Sequence, residues 1–204
     1  MVLELLLLAV LVVLAYVAYR QWSNQGGGVS APAPTGPGGI EQVGVGGVIQ
    51  LPPFGDHLDP RDVEVTARHV YDQDGYRWYE LEGQSGSGTV WLDVERDDEL
   101  ETSVTLKRLR LDEIGLAAEA VEQLKPGARV EFDGRVFHLG EQGRARFLPN
   151  GDSARAETLV FWDLEGEDDR HDLSIERWDQ EYRVYLSQRL SPERIRVYRT
   201  SHPE

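Results

Sequence analysis

Residues 2–19 (VLELLLLAVLVVLAYVAY) carry one charged side chain, Glu4, and are otherwise apolar or aromatic. A helix of that length spans about 27 Å, close to the hydrocarbon thickness of a bilayer. A core helix of a globular domain would show a polar stripe, and this segment has none. A cleaved signal peptide would carry Lys or Arg before the run and a small-x-small site after it. Here nothing basic precedes the run, which leaves through Tyr19 into Arg20. The segment reads as a retained single-span anchor over 1–22, with Arg20 and Trp22 suited to the headgroup layer. Arg20 is the only basic side chain near the span, so the positive-inside rule predicts the N-terminus outside and the folded part in the cytoplasm.

Whatever folds must come after residue 42. Residues 23–39 (SNQGGGVSAPAPTGPGG) are too rich in Gly, Pro, Ser and Ala to bury a core, and 23–42 reads as a flexible tether. The remainder has the size of one domain or two small ones. Glu4 and Arg20 cancel, so residues 23–204 carry the whole net charge of −15. Such a surface is repelled by nucleic-acid phosphates and by an anionic leaflet. Nucleic acid is therefore not an expected partner, and the plainest role of the charge is solubility. The absence of cysteine excludes disulfides, thiolate zinc sites and cysteine nucleophiles.

Local patterning is that of strands. Residues 63–71 alternate and turn through Asp72-Gln73-Asp74-Gly75 into 76–81; a glycine-rich loop at 83–88 precedes 90–94. Asp133-Gly134, between 130–132 and 135–139, is the strongest hairpin signal, because a type I′ turn needs positive φ at both central residues. Further strands are expected at 158–164, 172–177, 182–187 and 195–198. One helix is expected over 112–124, where Ile114, Ala117, Ala118, Val121 and Leu124 recur at helical steps, Asp112 caps and Pro126-Gly127 stops it. The fold class is thus mainly β, antiparallel, with one short α-helix between two related halves, 43–110 and 126–204, joined through 111–125.

The relation between halves rests on three echoes. Residues 78–83 (WYELEG) match 161–166 (FWDLEG), 92–96 (LDVER) match 173–177 (LSIER), and 46–51 match 127–132, with loop insertions around 52–60 and 149–155. Two such halves are expected to pack as related small sheets, each covering the other's apolar face.

Gly47-Val48-Ile49, the segment 63–71, Tyr76-Arg77-Trp78-Tyr79-Glu80-Leu81 and Trp91-Leu92-Asp93-Val94-Glu95 resemble the bacterial domain-of-unknown-function 4178 family. The resemblance covers 43–109 well and the second half more loosely, and Leu81 stands where the family often has an aromatic residue. It implies a mostly β module, attached in some members to a bacterial plasma membrane. It also implies an associated polyamine process and assigns no catalytic residue.

No motif names a reaction. The five histidines lack zinc-protease spacing, and Asp56-His57 with Asp59 and Asp62 reads as a solvated loop rather than a metal site. Gly44-Val45-Gly46-Gly47 lacks the dinucleotide fingerprint, and Gly83-Gln84-Ser85-Gly86-Ser87 misses the nucleophile elbow. No cofactor or metal is expected. The leading expectation is a non-enzymatic, membrane-tethered interaction module with a membrane-protein partner. The second is a binding domain for a small cation such as a polyamine, using Trp78, Glu80, Trp162 and Asp163. Whether those four line a pocket, or the tryptophans pack inside while the acids face water, is left open by the sequence.

Overall fold

The structure, a computed structural model, describes residues 39–201. The expected anchor at 1–22 and the tether up to residue 38 lie outside those residues. Among the described ones, no helix is long and apolar enough to cross a membrane. Packed structure begins inside the expected tether, since Ile40 sits in a short 3-10 turn and is buried.

Eleven antiparallel strands follow in one sheet: β1 (Val48–Leu51), β2 (Arg61–Gln73), β3 (Tyr76–Ser85), β4 (Gly88–Arg96), β5 (Leu100–Leu109), β6 (Arg129–Phe132), β7 (Arg135–Leu148), β8 (Glu157–Gly166), β9 (His171–Trp178), β10 (Glu181–Leu190) and β11 (Arg196–Arg199). Their order is β11-β1-β2-β3-β4-β5-β10-β9-β8-β7-β6, and β2 also pairs with β7. That additional pairing closes eight strands, β2 to β5 and β7 to β10, into a ring. The two closures differ in length. β5 and β10 pair from Leu109↔Val184 to Thr102↔Leu190. β2 and β7 pair only at Val70↔Leu148, Tyr71↔Phe147 and Asp72↔Arg146. The expectation of two separate sheets is therefore corrected to one continuous sheet.

Turn chemistry accounts for the hairpins. Asp74-Gly75 and Asp133-Gly134 all have positive φ, at 53°, 96°, 53° and 72°, and join β2 to β3 and β6 to β7. Short Asp-Gly pairs reach that region at little steric cost. The expected helix over 112–124 is broken. Leu111–Ile114 form a 3-10 turn, Gly115 adopts φ 72° and ends it, and only α1 (Ala118–Val121) is α-helical. Asp112 is not its cap: Arg110 stands there, and its backbone N–H donates to Glu113 at 2.8 Å.

Side chains alternate along the ring strands, as the pleat requires. One face is apolar. In the first half Leu81, Leu92, Val94 and Val104 pack under Ile49, Leu51, Phe54, Ile195 and Val197. In the second half Leu164, Leu173, Ile175 and Leu186 pack under Ile114, Val121 and Val130. The halves do not cover each other's apolar faces as expected. The second half is covered by β6 and the turns of 111–124, the first by β1 and Phe54 together with Ile195 and Val197 from the C-terminal end, and the opposite face of all eight strands turns toward the inside of the ring. A third, aromatic cluster of Tyr71, Phe161 and Trp178 with Ala145 and Leu159 packs with Trp78 and Phe147 beside the short closure.

Candidate functional site

Every ring strand contributes to one cavity of about 550 Å³. An eight-stranded barrel is just wide enough for its own side chains or one small ligand. Among the described residues, ten carboxylates line it, and the only base that does so is Arg189. Arg189 is already held by Asp172, with nitrogens 2.6 and 2.8 Å from the two carboxylate oxygens.

Three of the four site residues expected from sequence face this cavity. Trp78 and Glu80 are two apart on β3 and share a face, and Asp163 comes from the matching place on β8. Trp162 does not. It is 3% exposed and packs on the apolar side with Leu164 and Ile175. Adjacent strand residues point to opposite faces, so an inward Asp163 forces Trp162 outward. Its position on the cavity wall is taken by Phe161, which meets Trp78 with ring centroids 6.1 Å apart. The echo of WYELEG in FWDLEG already aligns Phe161, not Trp162, with Trp78.

The register also recruits acids that sequence reasoning passed over. Glu80 lies opposite Asp93 in the β3–β4 ladder, and Asp163 lies opposite Ser174 in the β8–β9 ladder. Ser174 Oγ donates to Asp163 at 2.6 Å, and Trp178 Nε1 donates to Glu176 at 2.7 Å. Tyr76 OH donates to Glu95 at 2.8 Å. The second echo, LDVER with LSIER, holds the usable signal. Glu95 and Glu176 take the inner face, while Arg96 and Arg177 leave outward to Glu41 and Glu122.

Crowding these acids away from bulk water costs charge stabilisation. Burial inside the ring pushes the Asp93 carboxyl up to about 7, and the nearby charges of Glu176 and Asp163 add to this. Burial likewise brings Asp163 to about 7 against the opposing bond from Ser174. Asp163 remains open to the space of the cavity itself. Burial, then Asp93 and Glu176, hold Glu80 well above the usual carboxylate range. Glu176 is raised by burial, offset in part by Trp178 and Arg183. The arrangement is a set of carboxyl groups short of counter-charge, walled by Tyr71, Trp78 and Phe161. Among the described residues, no group of three or more His, Asp or Glu is placed to hold a metal ion.

The fold and cavity thus define a closed antiparallel β-barrel with an acidic, aromatic lumen. The chain belongs to the family described as a domain of unknown function (DUF4178), whose sequence model matches residues 57–192 and so takes in both halves of the ring. No curated protein and no solved structure matches the chain.

Proposed function

We propose that this protein is a membrane-tethered, non-enzymatic binding module whose barrel takes a linear organic cation of the polyamine class. The observation that carries the reading is the imbalance of charge in the cavity: ten carboxylates against one arginine that is already paired. A ligand bearing several ammonium groups would supply the missing charge, and its methylene segments suit the faces of Trp78, Phe161 and Tyr71. A single hydrated metal ion would use little of a cavity of about 550 Å³ and would leave the aromatic walls idle. The family's implied link to a polyamine process points the same way. In this reading the anchor at 1–22 and the tether that follows it, up to residue 39, hold the barrel, on the cytoplasmic side, near a membrane-protein partner.

The two halves are a duplication in the same reading. Like strands meet like: β2 pairs with its counterpart β7, and β5 with β10, both antiparallel, as a two-fold relation requires. The shared cavity is then where two related surfaces face each other.

The test is a titration of the full chain with spermidine, followed by tryptophan fluorescence, beside equal ionic strengths of NaCl and MgCl2. A saturable change specific to spermidine is expected, together with its loss in the Glu80→Gln/Asp163→Asn double variant. A flat spermidine titration would overturn the reading.

A further inference from the structure

A second cavity, of about 380 Å³, shares Tyr71, Glu80 and Tyr185 with the first. The order of side chains along the strands places it at the other end of the ring. On β4, Trp91 lines the second cavity, and Asp93 and Glu95 line the first. On β10, Arg183 lines the second, Tyr185 both, and Ser187 and Arg189 the first. The barrel therefore has two mouths, and they differ in charge. The first is almost wholly acidic. The second carries Arg108, Arg183 and His69 against Glu80, Glu82 and Glu157.

Two of those basic side chains are held by neighbours at the rim. Arg183 pairs with Glu181 at 3.2 Å and lies over Trp178, and His69 Nε2 is 3.6 Å from Glu82. Arg108 is placed differently. Its guanidinium lies over the Trp91 ring at 3.7 Å and within 5.6 Å of the Tyr185 ring, its own partner in the β5–β10 ladder. Its charge reaches inward and favours the ionised forms of both Glu80 and Glu176. A cation between an indole and a phenol, beside acids of the lumen, is the arrangement that an exogenous ammonium would seek.

We infer that Arg108 is the chain's own cation seated in the second mouth, where it closes that end and limits the length of the cation the lumen admits. This rests on the polyamine reading above. A ligand enters through the acidic mouth and runs inward until its leading ammonium meets the Arg108 charge. A short polyamine fits ahead of that barrier, whereas a longer one must leave an ammonium outside or displace the guanidinium.

The experiment is calorimetric titration of the full chain with putrescine, spermidine and spermine, in wild type, Arg108→Ala and Arg108→Lys. In wild type, affinity is expected to rise from putrescine to spermidine and then level off. In Arg108→Ala, spermine affinity is expected to exceed that of spermidine by roughly tenfold, the equivalent of one further ion contact near 1.4 kcal/mol. Arg108→Lys restores the limit, because it retains a cation at the mouth. Binding by Arg108→Ala alone also supports the plug. Equal chain-length ratios in wild type and Arg108→Ala overturn Arg108's role while leaving the cavity reading intact. If no variant binds any of the three amines, the cavity reading falls and this inference with it.

Discussion

Replacing Asp93 by Asn should make the ligand-free protein more stable, and only at the upper end of the pH range. Asp93 faces Glu80 across the β3–β4 ladder, with Glu176 and Asp163 close enough to oppose its charge. Its carboxyl, ordinarily near 3.8, rises to about 7 in the fold. The folded protein thus keeps a proton that the unfolded chain releases between those values. Stability from this group is full below about pH 4 and is lost as pH rises through 7. The separation of the two values sets a ceiling of about 4 kcal/mol at pH 8. Cavity water and sharing of the strain with Glu80 reduce the expected gain to roughly 1–2 kcal/mol. Asn keeps the side chain's size and an oxygen for Ser103, whose Oγ lies 3.4 Å from Asp93 Oδ2. Urea unfolding of both full chains, followed by tryptophan fluorescence near pH 4 and pH 8, isolates the site from the net charge of the whole protein. A gain of equal size at both pH values, or a loss at pH 8, would refute the electrostatic account.

Other substitutions separate scaffold from cavity. Trp162→Ala empties a 3%-exposed site in the second apolar cluster and should cost about 3–5 kcal/mol in denaturation, whereas Trp78→Ala should mainly weaken spermidine binding. Gly166→Ala places a Cβ 2.3 Å from the His171 carbonyl oxygen, so a loss of at least about 1–3 kcal/mol is expected in a thermal melt. Phe147→Ala removes ring contacts to Tyr71 and Trp178 at the short β2–β7 closure. It should cost about 2–4 kcal/mol and accelerate amide exchange at Val70 and Tyr71 ahead of the β5–β10 seam.

Strand existence and the Asp-Gly hairpins were legible because they depend on neighbours in the chain. β5 was not, since Thr102 stands on its buried face where an apolar residue would have completed the alternation. The helix was overextended because the periodicity of Ile114, Ala117, Val121 and Leu124 says nothing about Gly115, whose φ of 72° ends the first turn. Ring closure rests on three residue pairs between strands more than seventy residues apart, and no local pattern announces it. The cavity was hidden for a different reason. An alternating strand reads as one face in and one face out, and polar inner residues such as Asp93, Glu95 and Glu176 look the same whether they meet bulk water or an enclosed lumen. Trp162 was misplaced by one residue, which in a strand is a change of face.

The first half of the ring cannot be finished by its own residues. β1 pairs with β2 on one side and with β11 on the other, and Ile195 and Val197 complete the cluster that holds Leu51 and Val104. On the ribosome, a chain that has emerged as far as β5 still has that apolar surface open, and it waits for about ninety further residues before Arg199 appears. The cover of the first half is therefore complete only once the C-terminal residues of the second have been made. Removing the strand Arg196–Arg199 would damage the part of the protein made first, and a chaperone engaged during synthesis would find its substrate in β1 to β5 rather than at the nascent end.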